Sequence, residues 1–289
     1  MIISHKYKFI FLHVPKTAGS SVNTFFSQYI GDDDILNGWN HSLRQGIPYN
    51  KKFLKTINNE FGLKMISKAI NLRMKDRKIF ERPILEYAYR EILKKKIGTT
   101  SMHATASQVK KFDKNSWNKY FKFAFVRNPY THAISHWMFD EKNWSILFEK
   151  SKKNKKKFTK KNFFIYLKNL KKEINNKKKY YHDMRPFSNI YTINGKIAVD
   201  YIGRFEDLKN DVKKIQKILK LPKSKFNLPH SKKNTKKNYL KYYNKESKKL
   251  VEEIWEKEFR FFKYTFPKTK INILYKNLKY LFIFNIKFF

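Results

Sequence analysis

Tyr7-Lys8-Phe9-Ile10-Phe11-Leu12-His13-Val14-Pro15-Lys16-Thr17-Ala18-Gly19-Ser20-Ser21, near the start of the chain, decides how the rest is read. An apolar run stops abruptly at a Pro-Lys-Thr-Ala-Gly-Ser-Ser turn, and apolar residues resume at helical spacing in Val22-Asn23-Thr24-Phe25-Phe26. That order predicts a strand over about 8–14, a loop, and a helix over about 19–29. A helix start presents backbone N–H groups and a partial positive charge, a ready site for phosphate. Lys16 adds a full charge, Thr17, Ser20 and Ser21 add hydroxyls, and Gly19 lets the backbone approach a ligand closely. The loop is a candidate phosphate cradle. It is not the nucleotide-triphosphatase loop GxxxxGK[ST], because its lysine precedes its glycine and no earlier glycine opens it.

The chain has 289 residues, 41% of them hydrophobic and 17% aromatic, enough to bury a full core. It has no cysteine, which excludes disulfides and thiolate metal sites and points to a reducing compartment. The first strand starts too early for a signal peptide to precede it, and no stretch approaches the ~18 apolar residues that span a bilayer. A cytoplasmic protein is expected. The net charge of +42 invites a nucleic-acid reading, but only 9 of the 65 basic residues are Arg. Readers of phosphates and bases favour the planar Arg fork. Lys, Asn, Ile, Phe and Tyr all have A/T-rich codons, so codon bias is the preferred account of the charge. Attraction to acidic glycans or a membrane surface is the other.

Further along, three stretches within 37–98 (53–57, 65–72 and 84–93) carry helical periodicity, so 37–98 is expected to be a helical insertion serving as lid or acceptor-binding region. Pro83 suits the first turn of its last helix. Gly98–Ala106 reads as a short strand running into a helix, with Thr105 as cap. Tyr120–Val126 is nearly all apolar, as a strand buried on both faces should be. It ends at Arg127-Asn128-Pro129-Tyr130, and a helix follows over 131–139. A further strand is expected over 197–202, then an amphipathic helix to about 221, and a long helix over 245–262. Residues 151–161 are Lys-rich and read as a solvated loop or helix face. The tail, 267–289, mixes apolar residues and lysines; packing as a terminal helix is preferred over lying on a membrane surface. Alternating strands and helices imply an α/β fold with a mainly parallel sheet. Ligands of such sheets bind at the C-terminal strand ends, where Pro15–Ser21 and Arg127–Pro129 both fall.

Taken together these blocks resemble a known family. Pro15-Lys16-Thr17-Ala18-Gly19-Ser20-Ser21 is similar to the 5′-phosphosulfate loop of sulfotransferases. Phe123-Ala124-Phe125-Val126-Arg127-Asn128-Pro129-Tyr130, with Ser135 eight residues after Arg127, is similar to their 3′-phosphate site. Ile202-Gly203-Arg204-Phe205-Glu206-Asp207-Leu208, Leu228-Pro229-His230, Tyr242-Tyr243 and Phe262-Lys263-Tyr264 resemble later blocks of the carbohydrate-type, Golgi-like and bacterial branch. The blocks come in the family's order over about 8–266. The resemblance implies a P-loop-like three-layer fold in one domain, 1–266, that binds 3′-phosphoadenosine 5′-phosphosulfate and transfers its sulfuryl group without a metal.

The roles implied follow the donor's two phosphates. Lys16 would bridge the 5′-phosphate and the leaving oxygen, where charge grows in the transition state. Thr17, Ala18, Gly19, Ser20 and Ser21 line the same loop, and Thr17, Gly19, Ser20 and Ser21 would donate hydrogen bonds there. Arg127 would clamp the 3′-phosphate through a charge-assisted fork, and Ser135 would add a hydroxyl. His103, expected at a strand end, is the chosen base for the acceptor hydroxyl, since imidazole titrates near ~6.5. His13 reads as a core residue or a support of the site. His182 and His230 stand as possible acceptor contacts, Glu206 as a buttress through Arg204, and 234–239 as a segment closing over the 3′-phosphate. His132 stands where relatives usually carry an arginine, and Phe187 where a glutamine is common. The expected acceptor is a saccharide hydroxyl, as in surface-polysaccharide biosynthesis. A nucleotide kinase-like phosphotransferase and a non-enzymatic basic nucleic-acid or membrane-surface binder are the competing readings.

Overall fold

Phe121–Val126, with Phe123 to Val126 fully buried, is an inner strand of a five-stranded sheet, flanked on both sides by parallel neighbours. The computed structural model describes residues 1–75, 83–98, 102–143, 158–175, 187–224, 227–228 and 239–267. The chain divides into two compact units, Met1–Arg127 with Glu173–Asn234, and Asn128–Lys172 with Thr235–Phe289.

In the first unit, strands β1 (Ile2–Ser4), β2 (Phe9–Leu12), β3 (Ile35–Leu36), β4 (Phe121–Val126) and β7 (Tyr201–Arg204) make the sheet, in the order β3-β1-β2-β4-β7. β5 (Thr192–Ile193) and β6 (Lys196–Ile197) form a separate hairpin. β2, β4 and β7 are parallel, while β1 runs antiparallel to both β2 and β3, so the sheet is mostly parallel with one reversed strand. The α/β class expected from the alternation of elements is what the fold has. Phe9, Phe11, Phe123 and Phe125 share one face by the two-residue period of strands, and Phe26 of helix α1 (Gly19–Ser27) lies on Phe9 and Phe123. Gly203 is required on β7 because a Cβ there would stand 2.4 Å from the Phe125 ring.

One departure from the sequence reading concerns a strand. The expected strand over 197–202 is split between the hairpin and β7. Asn194 and Gly195 both adopt left-handed φ (50° and 75°), the two-residue turn that matches hairpin twist, so the chain folds back before it reaches the main sheet. The turn at 31–34 holds Asp34, whose buried carboxylate accepts from Ser4 Oγ, His5 N, Lys6 N and Gly31 N. That carboxylate fixes the β1–β2 connection and the entry into β3.

The helical reading of 37–98 holds: α2 (Trp39–Leu43), α3 (Lys51–Ile57), α4 (Glu60–Lys75) and α5 (Ile84–Ile97) fill it, with Pro83 capping α5. Stacked rings of Tyr49, Phe53 and Tyr89 form its core, at centroid distances of 3.8 and 4.4 Å. α6 (Ala106–Phe112) starts at Thr105, which makes a capping box with Gln108, and α7 (Lys114–Lys119) leads into β4. The helix Leu208–Ile218 closes this unit; its buried Asp211 accepts from Tyr201 OH and Arg204 N.

In the second unit, the helix Pro129–Asn143 is longer than expected at both ends, and the predicted long helix breaks at Trp255 into Lys245–Ile254 and Glu256–Phe262. Trp137, Phe163, Tyr166, Tyr243 and Trp255 are buried there, and Tyr243 OH donates to the Tyr130 carbonyl. The helix Lys160–Asn175 confirms the helical reading that began at Phe163. The expected strand residues 99–101 and the readings of 151–157, His182, Pro186, Pro229, His230, 234–238 and the tail 268–289 lie outside the described residues. Among the described residues, no helix is long and apolar enough to cross a membrane.

Candidate active site

The loop after β2 is built around two left-handed residues. Lys16 (φ 61°) and Ala18 (φ 64°) flank Thr17, and α1 begins immediately at Gly19. Non-glycine residues in this region cost about 1–2 kcal/mol each and persist only where the surroundings enforce them. A left-handed residue beside a right-handed one is the backbone pattern of anion-binding nests. No side chain caps the start of α1. The loop therefore has the features a phosphate cradle needs. Thr17 is the exception to its predicted role. Its hydroxyl donates to the Val14 carbonyl at 2.9 Å and is buried, so it braces the loop and leaves ligand contact to its backbone. Ser20 is half-buried and Ser21 buried on the first turn of α1.

Arg127, one residue beyond β4, donates from Nη1 to the Lys16 carbonyl at 3.1 Å. Its guanidinium also lies 4.1 Å from the centre of the Phe205 ring, beyond the end of β7. Strand register explains the meeting: Leu12 pairs with Ala124 and Val126 with Arg204, so the three chains leave the sheet side by side at the C-terminal edge of β2, β4 and β7.

His103 sits in a turn and not at a strand end as expected; the capping box at Thr105 already commits the next residues to α6. Its Nδ1 lies 2.7 Å from the His13 carbonyl. A carbonyl only accepts, so Nδ1 carries the proton and the neutral ring has its lone pair on Nε2. The His13 ring stands edge-on to His103 at a centroid distance of 4.5 Å. On its other side it occupies the space a Gly19 side chain would need: a Cβ there would be 1.8 Å from His13 Cδ2. Gly19 thus serves packing as well as approach. His13 is buried and its carbonyl and ring both meet His103, in keeping with its reading as a core residue or a support of the site.

Lys16, Arg127, His13 and His103 come together in the first unit. Ser135 belongs to the second, where it is buried on the helix Pro129–Asn143. His132 is buried in that unit near Trp255, so it is a core residue. Phe187 is buried in a short 3-10 turn and belongs to the packing of the first unit. Glu206 and Arg204 are exposed, and the Arg204 backbone N–H donates to the buried Asp211. Among the described residues, no three His, Asp or Glu side chains are grouped to hold a metal ion.

The profile of the sulfotransferase family matches residues 1–265. The chain belongs to the sulfotransferase family. No curated protein and no solved structure matches it. Membership makes the protein an enzyme of sulfuryl transfer. It also gives the C-terminal edge of β2, β4 and β7 its chemical meaning: a sulfotransferase must hold an anionic donor, support a leaving oxygen and take a proton from an acceptor.

Proposed function

We propose that this sulfotransferase moves the sulfuryl group of 3′-phosphoadenosine 5′-phosphosulfate to a hydroxyl of a carbohydrate acceptor. The observation that carries the reading is the convergence of three functions on one loop. Lys16, Ala18, Gly19, Ser20 and Ser21 form one loop and helix start with left-handed φ at Lys16 and Ala18, Arg127 donates to the Lys16 carbonyl, and His103 donates to the His13 carbonyl three residues upstream of Lys16. Lys16 with the loop's N–H groups supplies positive potential for the 5′-phosphate, and Arg127 takes the 3′-phosphate. In the reaction the acceptor oxygen attacks sulfur in line. The new O–S bond forms as the S–O bond to the 5′-phosphate breaks, the acceptor proton passes to His103 Nε2, and Lys16 stabilises the charge left on the phosphate oxygen. No metal is needed in this scheme, since the lysine and the helix start provide the electrophilic field. In this reading the enzyme works in the cytoplasm, building a surface polysaccharide or glycolipid.

Turnover of labelled donor against a glycan panel tests the proposal. Lys16→Ala keeps a Cβ at the left-handed position, so loop strain is unchanged, and kcat should fall by about 10²–10³-fold. Full activity of that variant would overturn the mechanism. Thermal shift with 3′-phosphoadenosine 5′-phosphate should stabilise the wild type by binding linkage. Activity that collapses on chelation of Mg²⁺ would favour phosphoryl transfer instead.

A further inference from the structure

We infer that Phe205 is a positioning residue of the donor site, and that through it Arg127 couples the 5′- and 3′-phosphate loops into one device. The inference rests on the proposed reading of Arg127 as the 3′-phosphate clamp.

The argument starts from what Arg127 touches. Its Nη1 donates to the Lys16 carbonyl at 3.1 Å, across 111 residues of sequence. Its Cζ lies 4.1 Å from the half-buried Phe205 ring, well inside the range of a cation–π contact. The Lys16 peptide is the one held left-handed at φ 61°. A hydrogen bond to that carbonyl favours the loop conformation in which the following N–H groups converge. A guanidinium has five N–H donors in one plane, so the same Arg can brace a carbonyl and grip a phosphate. A lysine could do only one of these, because it lacks both the fork and the planar face. The Phe205 ring fixes the plane of the fork, and its place is set by the backbone, since β4 and β7 pair Val126 with Arg204.

Gripping the 3′-phosphate therefore holds Arg127 in the orientation that braces Lys16, and ordering of the 5′ loop holds Arg127 for the 3′-phosphate. Such coupling is reciprocal in binding free energy. It gives the enzyme a reason to prefer a donor with phosphates at both ends beyond the sum of the two contacts. A clamp that acted locally would affect only ligands carrying a 3′-phosphate.

The test is calorimetric titration of the full chain with adenosine 5′-monophosphate, adenosine 3′-monophosphate and adenosine 3′,5′-bisphosphate. In Phe205→Leu all three ligands should weaken, the 5′-monophosphate by about three- to tenfold even though it never meets the 3′ site. Phe205→Tyr, which keeps the aromatic face, should bind within about twofold of wild type. Arg127→Lys is the second probe should Phe205→Leu fold poorly, and it too should weaken the 5′-monophosphate. A 5′-monophosphate affinity unchanged in Phe205→Leu and Arg127→Lys would overturn the coupling. Unchanged binding of all three ligands in Phe205→Leu would overturn the role of Phe205 itself. Failure of the wild type to bind the bisphosphate would overturn the donor reading, and this inference with it.

Discussion

Replacing Gly19 by alanine sets two known effects against each other. Gly19 is the first residue of α1 and its φ is not positive, so the backbone accepts alanine. Helix propensity alone predicts a gain of about 0.5–1 kcal/mol. Packing predicts the reverse. The new Cβ would lie 1.8 Å from His13 Cδ2 and 1.9 Å from Nε2. The ring would have to retreat by roughly 1.5–2 Å to reach van der Waals separation. It has little room, because His13 is buried and its far side meets His103 at a centroid distance of 4.5 Å. Overpacking of this kind costs about 1–3 kcal/mol, so the clash wins and Gly19→Ala should be destabilised by about 1–2 kcal/mol, measured by urea unfolding. Activity should fall more than stability, because the displaced ring pushes on the proposed base and on the strand whose carbonyl holds it. A double-mutant cycle isolates the cause: His13→Ala should make the Gly19→Ala step harmless to stability, a coupling of at least about 1 kcal/mol. An alanine variant as stable and active as wild type, or strictly additive single and double variants, would refute the packing argument.

Two further perturbations probe the frame around the site. Asp34→Ala would remove the acceptor of four donors at once, the buried Ser4 Oγ and the part-buried N–H groups of His5, Lys6 and Gly31, and should cost about 2–3 kcal/mol; a loss below about 1 kcal/mol in urea unfolding would contradict the assignment. Alkaline pH should unfold the protein through its tyrosines. Burial above all, then the neighbouring Glu86, pushes the Tyr49 hydroxyl up to about 12, and burial likewise raises Tyr89, Tyr130, Tyr201 and Tyr243, with Glu252 beside Tyr130 and Asp211 beside Tyr201 adding to it. The unfolded chain releases these protons near pH ~10 while the folded chain keeps them, so stability is intact below about pH 10 and drains as pH climbs through the raised values. Tyrosinate absorbance and loss of ellipticity should therefore rise together in one step; full tyrosine titration with ellipticity retained would sink the idea.

What the sequence disclosed follows from the range of the interactions concerned. β4 was legible because six consecutive apolar-rich residues need no partner to announce burial on both faces, and Pro15–Ser21 because a strand end, a lysine and a helix start are contiguous. β1 and β3 were not legible: at three and two residues they carry no periodicity, and they exist through the pairing of β1 with β2, of β3 with β1, and through Asp34, about thirty residues from Ser4 and His5, whose groups it gathers. Asn194-Gly195 did carry a local signal, the residue pair that favours left-handed hairpin turns, and the apolar run after it masked that signal.

The same distinction decides how the site residues fared. Lys16 and Arg127 were found because each follows a strong strand, and a parallel sheet brings such strand ends to one edge whatever lies between them. Their actual relation, a side chain bracing a strained carbonyl 111 residues away, has no local trace. His103 was right as to neighbourhood and wrong as to element. Thr105 and Gln108 satisfy each other in a capping box, which starts a helix too soon for a strand to carry the histidine. A turn places His103 where a strand would not: its ring reaches across to the carbonyl of His13, and that contact sets which nitrogen holds the proton. The orientation of the proposed base thus depends on the backbone of the phosphate-loop strand, so base and cradle move together, and a change that shifts β2 by a fraction of an ångström should alter both.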